Sequence, residues 1–373
     1  MHLTCAECGT AVRWSLADWR CPCGGSLEFT EWPSFNATAI DPHQPGLWRY
    51  RALLPLPPEA DPVTLGEGWT PLVAGQFAGL PVQWKLEFLN PTGSYKDRGI
   101  APLMTALRER GARAVVEDSS GNAGASVAAY AARAGIQATV FVPAHASPAK
   151  RAQISLYGAK VVSVPGPRIQ ATRAAEAALT TDVAYASHVW QPAVLAGLHT
   201  LAWEIWEQMG RRAPDWLVAP VGQGTLLLGA YRGFRALREA KLTEHVPRLV
   251  AVQSSRCAPL HAAWIRELHH VPSVQAEPTV AEGITIEQPV RGRQLLQAIR
   301  ESRGTVLAVE EAEILAAQSA LAHRGLYVEP TSAVPAAALP RLGERIEAGQ
   351  TVLVPLTGSG LKGTPLTEQT ELR

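Results

Sequence analysis

An excess of charge of one sign is missing from this chain. Across 373 residues, 34 Lys and Arg stand against 33 Asp and Glu, a net charge of +1. A nucleic-acid partner or an anionic membrane surface would call for such an excess, so neither is expected. Long apolar runs are lacking too: no stretch approaches the ~20 residues a membrane-crossing helix needs. The start, Met1-His2-Leu3-Thr4-Cys5, lacks a basic-then-apolar leader pattern, and a cytoplasmic protein is expected. No fixed-period repeat runs along the chain. Cysteine is scarce, five in all, and four of these fall within residues 5–23.

Those four form two knuckles, Cys5-x-x-Cys8 and Cys21-x-Cys23, with glycines behind each (Gly9, Gly24, Gly25). The spacing predicts a zinc ribbon over 1–32, with Cys5, Cys8, Cys21 and Cys23 as tetrahedral ligands of a structural Zn2+. Two disulfides are the rival reading, disfavoured in a reducing compartment. So short a segment cannot bury a stable core alone, and metal would supply its folding energy. Two arginines against four acids over 1–32 give a net of −2, which argues against a phosphate-binding surface. The fifth cysteine, Cys257, reads as a core thiol.

With 47% hydrophobic residues, the rest has room for two domains. A Pro- and Trp-containing arm covers 33–64. The run Pro81 to Glu87 alternates as a strand. Strands at 114–116, 138–143 and 160–164 alternate with helices at 100–110, 124–134, 149–157 and 168–180. A helix at 192–209 follows. Strands at 216–221, 249–253 and 351–356 then alternate with helices at 225–240, 294–302, 311–323 and 332–346. This alternation predicts parallel sheets with right-handed crossovers. The expected division is a small α/β domain at 91–189, and a large one at 33–90 and 190–373. The segment 291–303 is a candidate cover.

One stretch organises the chemistry: Asn90-Pro91-Thr92-Gly93-Ser94-Tyr95-Lys96-Asp97-Arg98-Gly99. Its turn dipeptides precede a helix with Ser94 as expected N-cap and Lys96 in the first turn. A cation is unfavourable beside the positive end of the helix dipole; an uncharged amine that condenses with a carbonyl is not. Downstream, three further turns each follow a strand-like run: Ser119-Ser120-Gly121-Asn122, Gly222-Gln223-Gly224-Thr225 and Thr357-Gly358-Ser359-Gly360. Together they predict a cofactor pocket at the carboxyl edge of a parallel sheet.

The pattern N-P-T-G-S-Y-K-D-R-G, followed by S-S-G-N-A-G, resembles the threonine synthase family, pyridoxal-phosphate enzymes of fold type II, over roughly residues 65–365. The G-E-G-x-T-P-L string at 66–72 is similar to that family as well. The resemblance implies two parallel-sheet three-layer α/β domains, pyridoxal 5'-phosphate as cofactor and a homodimer. It implies Lys96 as cofactor amine and as base at Cα. Asn122 would bond the ring's phenolic oxygen, and Thr357 the ring nitrogen, with Ser359 as substitute. Gly222, Gln223, Gly224, Thr225 and Leu226 would form the phosphate cup. Ser119, Ser120 and Gly121 would meet an amino-acid substrate's carboxylate.

The family activity is a lyase reaction of threonine biosynthesis: O-phosphohomoserine loses phosphate by γ-elimination, and hydration gives threonine. Three departures leave a second reading open. Ala123 stands where the family has Thr, and the cup reads G-Q-G-T. Val189 and Val194 replace a serine and an arginine that meet the substrate phosphate. Arg168, Arg173, His188 and His199 are candidate replacements. The alternative is a serine/threonine ammonia-lyase or β-replacement enzyme acting on an unphosphorylated hydroxy amino acid, with Glu282 near the ring or a substrate hydroxyl.

Overall fold

Three sheets carry the strands of the described residues. The structure, a computed structural model, describes residues 1–119, 121–144 and 148–362. The chain divides into two compact units, Met1–Trp69 with Asn90–Thr200, and Thr70–Leu89 with the chain from Leu201. Sequence reading separated 1–32 and put 33–90 and 190–200 in the large domain. Instead 1–69, Asn90 and 190–200 lie in the first unit, for reasons visible in its bonds. Trp48 Nε1 and Tyr130 Oη both donate to the buried Glu67 carboxylate, at 2.6 and 2.7 Å. The Val63 amide donates to Thr105 Oγ1 at 2.9 Å.

In the second unit the strand order is Thr305–Val309, Arg248–Ser254, Trp216–Pro220, Val352–Pro355, Leu80–Lys85, Leu72–Phe77. The first five run parallel. Central strands such as Trp216–Pro220 are buried throughout, which is why they read as unbroken apolar runs. The edge strand Leu72–Phe77 pairs antiparallel with Leu80–Lys85, so the sheet is not wholly parallel as expected. The tight link Ala78-Gly79, with φ of 50° and 79°, is hairpin geometry. The candidate cover is a packed helix, Gly292–Glu301, with Leu295, Leu296 and Ile299 buried. Among the described residues no helix is long and apolar enough to cross a membrane.

In the first unit the ribbon strands order as Ala11–Arg13, His2–Cys5, Leu27–Phe29, all antiparallel. The second sheet is wholly parallel and orders as Lys160–Val164, Gln137–Pro143, Ala114–Glu117, Val183–Tyr185. Its last strand, three residues long, is too short for a periodic signal. The ribbon packs onto this unit through aromatics. The Arg110 guanidinium sits 3.6 Å from the Trp14 ring centroid, and Trp19 meets Tyr185 and Trp190 edge-on at 5.1 and 5.4 Å.

Helix Lys96–Glu109 and the first part of Pro192–Gln208 pack against each other through two glycines. A Cβ on Gly197 would lie 1.9 Å from the Arg98 carbonyl oxygen, and one on Gly99 would lie 2.6 Å from Val194 Cγ1. Backbone cannot move aside as a side-chain tip can, so overpacking here costs about 1–3 kcal/mol. Gly197→Ala is expected to lower unfolding stability by that amount, read from the denaturant midpoint. Gly343→Ala, in open space with helical φ, is expected to leave it unchanged or raise it.

Candidate active site

In the first unit Lys96 opens its helix, but Ser94 does not cap it. Tyr95 precedes the helix with helical φ and ψ of −58° and −15°. The buried Ser94 Oγ has no hydrogen-bond partner among the described residues. The start is fixed from within by Asp97, which is fully buried. Its carboxylate accepts from the Thr92 amide at 2.7 Å, the Thr92 hydroxyl at 2.6 Å and Ser126 Oγ at 2.6 Å. An anion in a first turn also matches the helix dipole. The Lys96 ammonium, half-buried, lies 4.8 Å from the Tyr95 ring centroid.

Strand Ala114–Glu117 leads through Asp118 and Ser119 to helix Asn122–Ala134, with Asn122 as first residue. Ser120 lies outside the described residues. Where this strand ends, His188 Nδ1 and Glu117 Oε1 are 2.7 Å apart, with Glu117 wholly buried. Burial pushes the Glu117 carboxyl well above its usual range, and the neighbouring Asp118 adds to this. Burial, aided by the charges of Lys96 and Arg168, pushes the His188 imidazole well below its own. Sequence reading missed Glu117. The available signal was an acidic residue closing the buried run Val115-Val116.

In the second unit the two predicted turns come together. Trp216–Pro220 and Val352–Pro355 are adjacent parallel strands, and the chain order of the sheet reverses between them. Ligands of open α/β sheets bind outside the carboxyl ends of strands at such a reversal. Gly222-Gln223-Gly224 follows one strand and Thr357 the other. Gly222 and Gly224 admit no side chain: a Cβ would fall 2.9 Å from Ile284 Cα and 2.2 Å from Leu295 Cδ2. Gly224 has φ of +75° and leads directly into helix Thr225–Glu239. The first amides of that helix, from Thr225 and Leu226 on, have no intrahelical partner, and with the dipole they suit a phosphate.

The Gln223 side chain is directed elsewhere, accepting from the Val290 amide at 3.0 Å. Thr357 donates its amide to Ser332 Oγ at 2.7 Å. Its own hydroxyl is buried and has no hydrogen-bond partner among the described residues. A ring nitrogen would satisfy it. Ser359 Oγ accepts locally from the Leu361 amide at 3.3 Å, and Glu282 is exposed.

In the ribbon all cysteines are free thiols. Cys8 and Cys21 sulfurs are 3.7 Å apart, Cys5 and Cys23 sulfurs 3.5 Å, and all four lie within 4.8 Å of one another. Zn–S bonds of ~2.3 Å at tetrahedral angles put thiolates about 3.8 Å apart, so this donor set fits the ion. Hydrogen bonding to the Thr10 side chain and backbone draws the Cys8 thiol down to about 6, whereas those of Cys21 and Cys23 are raised.

Residues 63–358 match the family model described as pyridoxal-phosphate dependent enzyme. The threonine synthase of Methanosarcina acetivorans is 34% identical over 97% of this chain and 92% of its own. That of Synechocystis is 35% identical over 88% of this chain and 87% of its own. Among solved structures, the T.th. threonine deaminase is 28% identical, with a TM-score of 0.68, covering 79% of this chain and 94% of its own. A fungal L-serine ammonia-lyase from Rhizomucor miehei is 22% identical, with a TM-score of 0.71, covering 81% of this chain and 96% of its own; it shares the fold. The chain belongs to the threonine synthase family of pyridoxal-phosphate-dependent enzymes.

Proposed function

We propose that this lyase converts O-phosphohomoserine to threonine and phosphate, with Lys96 as catalytic amine. The observation that carries the reading is the buried hydroxyl of Thr357, which has no hydrogen-bond partner among the described residues and follows a strand adjacent to the one that leads into the glycine turn. The bound cofactor supplies an aldehyde for the substrate amine and a ring that withdraws electrons from the Cα–H bond. A neutral hydroxyl at the ring nitrogen, unlike a carboxylate, does not hold it protonated. That suits elimination and hydration better than transamination.

The chain's own residues do the rest. The Lys96 amine holds the cofactor between turnovers, and removes and returns protons at the substrate carbons. The amides of Gly222, Gln223, Gly224, Thr225 and Leu226 bind the cofactor phosphate. Asn122 bonds the phenolic oxygen, and Ser119 with Gly121 receives the substrate carboxylate. The cysteines hold a structural Zn2+ with no open position. A homodimer in the cytoplasm belongs to the same proposal. The second reading, an ammonia-lyase or β-replacement enzyme, draws on buried Val189 and Val194, 7% and 3% exposed.

Cofactor-loaded enzyme is expected to release phosphate and threonine in equal amounts from O-phosphohomoserine. Lys96→Ala should lower the rate by about 10²–10⁴-fold or more. No phosphate release, with keto acid formed from serine or threonine, decides for the second reading.

Thr357→Val separates function from folding. It removes a polar group that has no partner among the described residues, so the cofactor-free protein should unfold at the same or higher denaturant concentration. Cofactor affinity should drop roughly five- to tenfold, about 1–1.5 kcal/mol for one hydrogen bond. Equilibrium unfolding and absorbance titration read the two effects separately.

Elemental analysis is expected to find one zinc per chain. A strong chelator, or Cys21→Ser, should remove it and lower the melting temperature, since the metal supplies the ribbon's folding energy. Unchanged melting after complete metal loss would rule out a structural role.

A further inference from the structure

The parallel sheet of the first unit also reverses its strand order at one place. From Ala114–Glu117 the chain proceeds one way through Gln137–Pro143 to Lys160–Val164, and then returns to the other side as Val183–Tyr185. The crevice of such a sheet opens outside the carboxyl ends of the two strands at the reversal. Glu117 is the last residue of one, and His188 follows the end of the other by three residues. Their 2.7 Å contact therefore lies at the reversal itself.

The pair is a costly feature for a sheet to carry. Burying a carboxyl group disfavours folding unless its oxygens are matched. Glu117 Oε2 is buried without a partner among the described residues. Both groups are driven toward their uncharged forms by burial. With the carboxyl proton on the bond to Nδ1, Nε2 would carry an N–H to donate to a ligand. Lys96 and Arg168 are the positive charges felt by both members of the pair, and Asp118 is the negative charge nearest Glu117. Arg168 is exposed at the first position of helix Arg168–Ala177.

The other basic candidates are otherwise engaged. His199 stacks on Trp32 of the ribbon, centroids 4.4 Å apart at 15°, and no contact ties Arg173 to the pair among the described residues. Val194 packs against Gly99, so an arginine there has no counterpart. His188, however, stands directly before Val189, the other substituted position.

We propose that His188, oriented by Glu117, binds the phosphate group of the substrate together with Arg168, in place of the groups lost at Val189 and Val194. Glu117 is a positioning residue: it holds the imidazole so that Nε2 faces the anion. The inference rests on O-phosphohomoserine as substrate.

The test compares holoenzymes of the wild type, His188→Gln, Arg168→Gln, Glu117→Gln and Glu117→Leu. Inorganic phosphate serves as competitive probe, and threonine binding, read by cofactor absorbance, serves as reference. For His188→Gln and Arg168→Gln, KM for O-phosphohomoserine and the phosphate inhibition constant should both rise about tenfold or more, the worth of a charge-assisted hydrogen bond. The threonine dissociation constant should stay within about twofold, since that ligand carries no phosphate for the pair to hold. Glu117→Leu should share the KM defect, and Glu117→Gln, which keeps a hydrogen bond to the ring, should restore most of it. If His188→Gln does not fold, Arg168→Gln decides alone, since its side chain is exposed. Phosphate release by the wild type, with KM and phosphate inhibition unchanged in these variants, overturns the inference and leaves the function standing. No phosphate release by the wild type overturns both.

Discussion

The Asp97 carboxylate governs where the lysine stands. It is wholly buried, and the bonds it accepts come from Thr92 on the preceding turn and Ser126 on the neighbouring helix. Each ties a different piece of chain to the first turn of helix Lys96–Glu109. Charge-assisted bonds of this kind are about twice as strong as neutral ones, and unmaking one leaves a buried anion. The next turn is held by a different force, the backbone approach at Gly99 and Gly197. Lys96 is thus fixed on both sides, while its own side chain stays half-buried and free of an ion pair among the described residues.

One rule accounts for the location of the remaining groups. The α/β sheets of both units are covered by helices, so their strands are apolar and chemically inert along most of their length. Polar chemistry collects where strands end and the crossovers diverge. In the second unit that place holds the glycine turn and Thr357; in the first it holds Glu117 and His188. The two reversals differ in what they offer. The first has an acid and an imidazole close together, whereas the second offers backbone amides and the Thr357 hydroxyl.

How far the sequence foretold this depended on the reach of each signal. Strand and helix alternation was legible because buried strands and Ala-rich helices are local patterns. The four ribbon cysteines and the lysine segment were legible because their spacing is short. Strand Val183–Tyr185 was not, being three residues long. The two compact units differ from the expected division where Glu67 meets Trp48 and Tyr130, contacts that no local pattern carries. The direction of the Gln223 side chain was not legible, because it bonds Val290, 67 residues away. Glu117 looked like the end of a strand until His188, 71 residues on, was beside it.

A buried ion pair elsewhere in the chain contrasts with the Glu117–His188 pair. In the second unit Lys85 and Glu204 form an ion pair with both side chains wholly buried. Around it the Thr70 amide donates to Glu204 at 2.8 Å, the Thr70 hydroxyl to Glu87 at 2.6 Å, and Lys85 to Gln208 Oε1 at 2.8 Å. Opposite charges and surrounding donors offset the desolvation that would otherwise exceed the Coulombic gain. Such a cluster fixes register and needs nothing further. Glu117 and His188 have no such closure: burial drives both toward neutrality, one oxygen is unmatched, and the cations that reach them belong to Lys96 and exposed Arg168. An anion answers the donors of the pair rather than its acid: it gives the imidazole N–H and the guanidinium a common acceptor.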